Sequence, residues 1–390
     1  MGAQDYIGRR VARWRALQGM TQQELADRIG RTRNWVSMVE NGHRPVVRRD
    51  TLIALASALR VDVQQLIAQP SVRTPGELAI RQAIPALRAA LYGQDEPPVP
   101  RSPEVIAEEV RRFMVARMAC DYDTMSALMG PLVAETAAWI ASGRDDRQAR
   151  ELAVRALFTA SMAVRPIGYI DLAYALAERA QSIAIEIGSP AALAASRLAM
   201  SQAALSSGSR RHSLRVATSA AAEVQGYSED GALSWYGFLH LQAALASASL
   251  GEDPEVHLEE AREAAKSRPD DPWLMEFTPA NVGVWEAATA LERGDYDMVL
   301  SKVSNVDRGQ LRTNQRRSHL LMFAGRAAFG AGDTKRAVRC FLEADEIAPA
   351  EVRSRAAVRE VVGQMTRDSF RGTELSILAS RVGVDPLSET

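Results

Sequence analysis

The stretch TQQELADRIGRTRNWVSMVENGHRP at residues 21–45 decides the fold of the first part of the chain. Thr21 is suited to cap a helix because its hydroxyl can accept a free N–H of the first turn, and Glu24 completes a capping box. The apolar positions of that helix end at Gly30, and Thr32 caps a second helix directly afterwards. Two short helices joined by a tight glycine turn are typical of helix-turn-helix geometry.

A longer helix precedes this stretch, and two short helices follow it. The first is predicted over residues 5–18, and Gly19 suits a left-handed end to it. The fourth is predicted over residues 50–59, and a fifth short helix follows Val61. Together the five helices make one small core, which we predict as a domain over residues 1–70.

Residues 21–45, together with TLIALASALRVDVQQLI at 51–67, resemble the Xre family of regulators, to which the phage repressors belong. The Gln-x-x-Leu-Ala helix, the turn glycine, the Glu-Asn-Gly exit and the Leu-Ala-x-Ala-Leu helix fall at the family spacing across 5–67. The resemblance implies a domain that binds operator DNA as a dimer. Arg15 and Glu40 resemble a buried ion pair of the phage repressors, so a structural role is implied for them.

The face of the third helix that is free to contact DNA follows from its apolar positions. Val36 and Val39 have to pack inward, and a rotation of about 100° per residue then turns a polar face away from the core. Arginine can bridge O6 and N7 of guanine, and asparagine can pair with N6 and N7 of adenine. The residues predicted to contact base edges, which we call the reading face, are Arg33, Asn34, Ser37 and Met38. A solvated charge is the alternative role for Arg33, and Trp35 stays open between core edge, DNA backbone contact and domain interface.

Four residues around the same helix are predicted to contact DNA phosphates. Gln22 lies at the start of the second helix, where the helix dipole and free N–H groups favour an anion. The resemblance implies the same role for Gln22 and for Asn41. The complete predicted set of phosphate contacts is Gln22, Asn41, Thr32 and Arg44.

Charge is divided unevenly along the 390-residue chain, whose net charge is −1. Residues 1–70 hold eleven arginines and six acids, which gives +5 and leaves −6 for the rest of the chain. A basic head on an acidic body fits a module that binds a polyanion. The resemblance to the Xre family implies that this polyanion is double-stranded operator DNA, which is the predicted partner of the head.

Composition and motifs point away from several other classes of protein. Hydrophobic residues make up 47% of the chain and aromatic residues only 6%, a profile that favours closely packed helices. The two cysteines and five histidines show neither a disulfide framework nor metal-ligand spacing, and the sequence contains no phosphate loop or nucleophile elbow. We recognise no signal peptide and no membrane span. We therefore expect a cytoplasmic protein that is not an enzyme and holds neither metal nor cofactor.

Residues 71–102 are predicted to connect the head to the rest of the chain. A helical stretch from Glu77 to Tyr92 contains Pro85, which is predicted to kink or restart the helix. QDEPPVPRSP at 94–103 is typical of a semi-rigid linker.

Residues 103–390 show only helical periodicity, so the predicted fold class is all-α. The segment Ser318–Pro349 fits the tetratricopeptide pattern, with Gly325 at the small position of its first helix. Breaks elsewhere recur at about 38–43 residues, which is longer than the standard repeat of about 34. We predict an α-solenoid of degenerate tetratricopeptide-like hairpins, with roughly five to seven helix pairs between residues 103 and 370.

A helix-turn-helix head on such a body resembles regulators whose repeat domain binds a short signalling peptide and controls DNA binding. Stacked helix pairs enclose a concave face, which would hold the ligand. The predicted ligand-binding residues are Gln202, Gln242, Asn281, His319, Met322 and Arg326. Asn281 can pair with a ligand amide in both directions, and a helix cap after Pro279 is its alternative role.

The predicted function is a homodimeric transcriptional regulator that responds to a peptide or small-molecule effector. Half-sites lie about one DNA turn, ~34 Å, apart, so a modest change of dimer angle should weaken binding. A constitutive regulator whose repeats bind a partner protein is the first alternative. A repeat scaffold without specific DNA binding is the second, and the intact caps and the +5 head argue against it.

Overall fold

The structure, a computed structural model, describes residues 6–46, 48–67, 75–93, 97–142, 147–227, 231–267, 269–367 and 372–384. Within these ranges the chain forms α-helices and two short 3-10 turns, and no strand is present. The all-α fold class predicted from the sequence is confirmed.

Five helices form the N-terminal domain. They are α1 (Ile7–Leu17), α2 (Gln22–Arg28), α3 (Arg33–Glu40), α4 (Arg49–Ala58) and α5 (Val63–Ile67). The predicted start of the first helix at Asp5 lies outside the described residues. Gly19 and Gly30 adopt φ of +64° and +63° just past the ends of α1 and α2, a conformation that glycine reaches without steric cost. The apolar residues at the centre of the domain include Val11, Leu25, Val36, Val39, Leu55 and Leu59.

The middle of the chain is a series of helices that pack on their neighbours in sequence. Its helices are α6 (Pro75–Tyr92), α7 (Pro103–Ala119), α8 (Tyr122–Ala141), α9 (Arg147–Val164), α10 (Ile170–Ile187), α11 (Pro190–Ser207), α12 (Arg210–Val224), α13 (Ala232–Leu250) and α14 (Glu255–Lys266). The described parts of Pro75–Thr289 and Val306–Arg317 form one compact unit, which we call the middle unit. From α9 to α14 each helix packs on the next, as expected of helices joined by short turns.

Helix α6 lies in the segment that the sequence predicts as a connection. It continues through Pro85, so the helix does not restart there. Ile80, Ile84 and Leu87 are buried, and α6 packs against α8 within the middle unit. The domain boundaries at residues 70 and 102 stay predictions.

Apart from most of the first helix and the start of the third, the C-terminal helices share a compact unit with the N-terminal domain. They follow as α15 (Pro279–Arg293), α16 (Tyr296–Asn305), α17 (Asn314–Gly330), α18 (Thr334–Ile347), α19 (Pro349–Ser354), α20 (Ala356–Arg367) and α21 (Thr373–Val382). The described parts of Met1–Thr74, Ala290–Asn305 and Ser318–Thr390 form what we call the terminal unit. Sequence patterns contain no sign of this association, because it joins segments about three hundred residues apart.

Helices α17 and α18 show why a small residue is needed at position 325. A Cβ atom added to Gly325 would lie 2.7 Å from the ring of Phe341, so only glycine leaves room for that ring. Ala337, Phe341 and Ala344 of α18 are fully buried. This agrees with the small position predicted at Gly325, and the tetratricopeptide-like repeat itself stays a prediction.

The described residues contain neither a membrane-spanning helix nor a cluster of metal ligands. None of their helices combines the length and the apolar character that a membrane crossing requires. Within the same ranges no three His, Cys, Asp or Glu side chains are grouped as metal ligands would be.

Two half-buried histidines meet where α13 packs on α14. Nδ1 of His240 lies 3.2 Å from Nδ1 of His257, and the ring of Tyr236 is 4.4 Å from the His240 ring. Burial, together with the charge of a protonated His257, lowers the pKa of His240 to about 4, while Glu260 opposes the shift. Burial also lowers the pKa of His257. Both imidazoles are therefore neutral in the folded protein at pH 7.

This pair makes the stability of the fold dependent on pH. Between pH 6.5 and about 4 the unfolded chain takes up a proton at His240 that the folded chain does not bind, so stability is lost as the pH falls. We expect His240→Asn to lose less stability than the wild type between pH 7 and pH 5, by about 1 kcal/mol after allowance for solvent screening. Denaturant unfolding at the two pH values measures the difference. The exposed His43 provides the control variant His43→Asn, and equal losses in wild type and His240→Asn would contradict the assignment.

Candidate nucleic-acid interface

Helix α2 begins with the capping box that the sequence predicts. The Thr21 hydroxyl accepts the Glu24 N–H at 3.2 Å, and Glu24 Oε2 accepts the Thr21 N–H at 2.7 Å. The Thr21 N–H and the Thr21 hydroxyl, which donates to Glu24 Oε2 at 2.8 Å, lower the pKa of Glu24. The start of the helix-turn-helix is therefore fixed by two residues of its own sequence.

Glu40 at the end of α3 joins three helices. Its Oε1 accepts from Arg15 Nε at 2.6 Å and its Oε2 from a second Arg15 nitrogen at 2.9 Å, a bidentate pair. Gln22 Nε2 at the start of α2 donates to the same Oε2 at 2.8 Å. Glu40 is only 7% exposed, so the pair is shielded from water, and the structural role expected for Arg15 and Glu40 is confirmed.

The cap of α3 leaves its first residues in solvent. The Thr32 hydroxyl accepts the Trp35 N–H at 3.2 Å, which places Thr32 at the helix start, as predicted. Arg33 and Asn34 follow and are exposed. Val36 and Val39 are 0% and 1% exposed and face the core, as the helical spacing predicts.

The remaining residues of the reading face are half-buried and in contact with neighbours on the same helix. Asn34 Nδ2 lies 3.9 Å from Met38 Sδ, and Asn41 Nδ2 donates to Ser37 Oγ at 3.2 Å. These pairs are four residues apart, so they share one face of α3. The structure thus brings the predicted base-contacting residues together on one side of a helix whose other side is buried.

The predicted phosphate contacts surround this face. Asn41 and Arg44 are exposed beyond the end of α3, and Thr32 is exposed at its start. Gln22 is half-buried and uses one amide N–H for Glu40, which leaves its second N–H for another acceptor.

Sequence reasoning missed a cluster of cations around Trp35. The guanidinium carbon of Arg31 lies 5.7 Å from the Trp35 ring centroid, and that of Arg44 lies 6.0 Å from it. Guanidinium groups are attracted to the face of an indole ring at such distances. The four-residue spacing of Arg31 and Trp35 could have indicated the first contact. The contact of Arg44 depends on the path of the loop after α3, which the sequence pattern does not specify.

Three predicted ligand residues lie in the middle unit and have separate partners. Asn281 is fully buried, and its Nδ2 donates to the Glu276 carbonyl at 2.7 Å. Gln242 Nε2 donates to Ser213 Oγ at 3.2 Å, and Gln202 Oε1 accepts from Arg165 at 3.0 Å. The alternative role of Asn281 as a helix cap is not observed. The Thr278 hydroxyl caps α15 instead by accepting the Asn281 N–H at 3.2 Å.

The other three predicted ligand residues lie on α17 in the terminal unit. His319 Nε2 is 2.8 Å from Oε1 of the buried Glu351. Met322 is 4% exposed within an apolar cluster, and Arg326 is half-buried. The six residues are therefore divided between two units, and their role in ligand binding stays a prediction.

Comparison with known proteins supports the assignment of the N-terminal domain. Residues 7–68 match the helix-turn-helix domain family. No curated protein matches the chain. Among solved structures, PlcR of Bacillus thuringiensis in complex with the peptide PapR7 and DNA aligns with 15% identity and a TM-score of 0.34, over 68% of this chain and 96% of PlcR.

The close crossing of α1 over the end of α3 fixes the position of α3. A Cβ atom added to Gly8 would overlap the carbonyl oxygen of Val39, and that backbone atom cannot rotate away. In an open helix Gly→Ala stabilises by about 1 kcal/mol. We expect Gly8→Ala to destabilise instead, by about 1–3 kcal/mol, because the two helices have to separate.

Thermal unfolding of the full chain measures this effect of Gly8→Ala. Arg13→Ala, at an exposed position of the same helix, is the control and should be near neutral. An unchanged or higher melting temperature of Gly8→Ala would contradict the observed crossing.

Proposed function

We propose that the chain is a non-catalytic transcriptional regulator that binds specific DNA sequences with helix α3. The observation that carries this proposal is the division of α3 into a buried side and an exposed side. Its last residue, Glu40, is held by Arg15 and Gln22, while Arg33 and Asn34 at its start are exposed. A helix held in this way within a helix-turn-helix domain is suited to enter the major groove with its N-terminal residues first.

Direct reading of sequence is assigned to the reading face. Arg33 would bridge O6 and N7 of a guanine, and Asn34 would pair with an adenine. Ser37 and Met38 lie one turn further along α3, where they would touch a base edge or a thymine methyl group. Met38 supplies a polarizable apolar surface rather than a hydrogen bond.

Backbone contacts are assigned to the residues around that face. Gln22, Asn41, Thr32 and Arg44 are proposed to contact phosphates, as the sequence predicts. To these we add Arg31, because Arg31 and Arg44 bring two positive charges to the same indole ring. Two like charges so close together repel each other, and a phosphate between them would relieve that repulsion.

The charge distribution would orient the protein as it approaches DNA. The head carries +5 and the rest of the chain −6, so the field of DNA attracts the first seventy residues and repels the remainder. This asymmetry favours encounters in which α3 faces the duplex.

We further propose that the body dimerises and binds an effector, for which the middle unit offers a candidate cavity. A cavity of about 310 Å³ opens between the ends of α12 and α14 and the start of α13. Its lining includes Val224, Tyr227, Leu233, Tyr236, Glu260 and Glu263. This volume lies at the lower limit for small-molecule sites, so it favours a small compound over an extended peptide.

The chemistry of the lining favours a cation. Glu260 and Glu263 contribute two carboxylates, and the Tyr236 hydroxyl donates to Glu260 Oε2 at 2.7 Å. Burial and the hydrogen bond to Glu260 raise the pKa of Tyr236 to about 12, so the phenol stays protonated at neutral pH. Phenol rings next to carboxylates bind amines and guanidines through both charge and ring face.

The DNA proposal is tested by selecting duplexes from a random pool with the full chain and measuring affinities for the selected site. We expect Arg33→Ala and Asn34→Ala each to lose about 1–3 kcal/mol on that site and to relax base preference at one position. Gln22→Ala should weaken selected and random duplexes alike, because a phosphate contact carries no sequence information. Arg13→Ala removes the same charge as Arg33→Ala from α1 and should have the smaller effect. Failure of the wild type to enrich any duplex would overturn the proposal.

The effector proposal is tested by a thermal-shift screen of small amines and guanidines. We expect a compound that raises the melting temperature of the wild type and has no effect on Glu260→Ala. Glu259→Ala, an exposed acid beside it on α14, is the matched control and should respond like the wild type. If no compound stabilises the wild type while DNA binding is intact, the constitutive regulator is favoured. Sedimentation of the full chain with and without DNA measures dimer formation.

A further inference from the structure

Helix α20 carries two charged side chains toward the N-terminal domain. Glu360 and Arg367 are seven residues apart, so they lie two turns apart on one face of the helix. Glu360 is only 8% exposed, and an Arg367 nitrogen lies 3.9 Å from Glu360 Oε1. Both belong to the terminal unit, which also contains the N-terminal domain.

Glu360 supplies a helix cap that the sequence around α1 lacks. Tyr6 stands at the cap position of α1 but makes no side-chain hydrogen bond there, and the first turn contains no acid. The backbone N–H groups of Ile7 and Val46 face the Glu360 carboxylate and favour its charged form. The first N–H groups of a helix have no partner within the helix, and a carboxylate there also interacts favourably with the helix dipole. The start of α1 is thus capped from 353 residues further along the chain.

Arg367 makes the complementary contact at the end of α3. Its Nε donates to the Gly42 carbonyl at 3.2 Å, and its guanidinium carbon lies 4.5 Å from the Tyr6 ring centroid. Tyr6 in turn donates its hydroxyl to the Glu40 carbonyl at 2.7 Å. A cation near the last carbonyls of a helix is favoured by the helix dipole, and stacking on Tyr6 fixes its position.

We propose that α20 is a docking helix that holds the N-terminal domain through Glu360 and Arg367 and thereby sets its affinity for DNA. The docking part stands on the contacts above, whereas the DNA part rests on the proposed function.

The direction of the effect follows from which ends of the helices are engaged. Helix α20 contacts the start of α1 and the exit of α3, while Arg33 and Asn34 lie at the opposite end of α3 and are exposed. The docked state therefore leaves the reading face free and holds α3 in one orientation. Loss of docking leaves helix-end groups without partners and lets α3 move, so DNA binding has to supply the ordering.

Glu360 offers a variant that separates charge from hydrogen bonding. Burial raises the pKa of Glu360, although Arg367, Arg10 and the two backbone N–H groups favour its charged form. Glu360→Gln keeps the size of the side chain and one acceptor oxygen, and it removes the buried charge. It should lose the ionic part of the docking, together with the interaction with Arg367.

The test compares the full-length wild type with Arg367→Ala and Glu360→Gln, using hydrogen–deuterium exchange and affinity for a duplex selected from a random pool. We expect faster exchange in segments 6–17 and 40–46 of Arg367→Ala, and a Kd about fivefold to a hundredfold higher than that of the wild type. Glu360→Gln should shift in the same direction by a smaller factor. Arg339→Ala, an exposed arginine of α18, is the control and should stay within about twofold. Because coupling is reciprocal, the duplex should also slow exchange in α20 of the wild type.

Unchanged exchange in segments 6–17 and 40–46 would overturn the docking role. Faster exchange with an unchanged Kd would overturn the control of DNA affinity. If Arg367→Ala fails to fold, Arg367→Lys, which keeps the charge and loses the planar stack on Tyr6, is compared by the same two readouts. A wild type that binds no duplex would overturn the proposed function and the DNA part of this inference, and the exchange comparison would still decide the docking part.

Discussion

The N-terminal domain depends most on the hydrogen bonds that the Glu40 carboxylate accepts from two other helices. Helix α3 has only eight residues, and a helix of that length is not stable by itself in water. Its position has to come from contacts with the rest of the domain, and Glu40 supplies them by accepting from Arg15 of α1 and Gln22 of α2. The Glu40 carboxylate is almost completely buried. Loss of Arg15 would therefore leave a buried negative charge without a compensating positive charge, which is strongly destabilising. The orientation of the exposed side of α3 is a consequence of this network.

Small residues leave room for large rings in both units. Gly237 leaves room for Phe277 in the middle unit, and Gly325 leaves room for Phe341 in the terminal unit. Polar side chains also meet between neighbouring helices: Ser201 of α11, Ser213 of α12 and Gln242 of α13 make hydrogen bonds with each other. A sequence with few aromatic residues can thus build a large core, provided that each ring meets a gap left by a residue without a bulky side chain.

The features that the sequence predicts well have a local cause. The capping box of Thr21, the left-handed glycines and the inward position of Val36 depend on residues within one or two turns, and the pattern alone specifies them. Features that depend on the path of a loop or on a distant segment are not predictable in this way. Asn281 has the chemistry of a ligand-binding residue, yet its amide is used by the Glu276 carbonyl within the fold.

The start of α1 shows most clearly how a distant cause escapes local patterns. Helices α2 and α3 each begin with a Thr cap that the sequence predicts. Tyr6 at the start of α1 makes no such hydrogen bond. An uncapped helix start buried without a partner is unfavourable, so a missing local cap implies that some other group satisfies those N–H groups. Glu360 is that group, and Arg367 on the same helix face completes the arrangement at the exit of α3. Contacts from α20 therefore complete the start of α1 and the exit of α3 in the N-terminal domain. If the proposed function holds, the contacts of Arg367 on α20 with Gly42 and Tyr6 connect the C-terminal helices directly to the ends of α3 and α1.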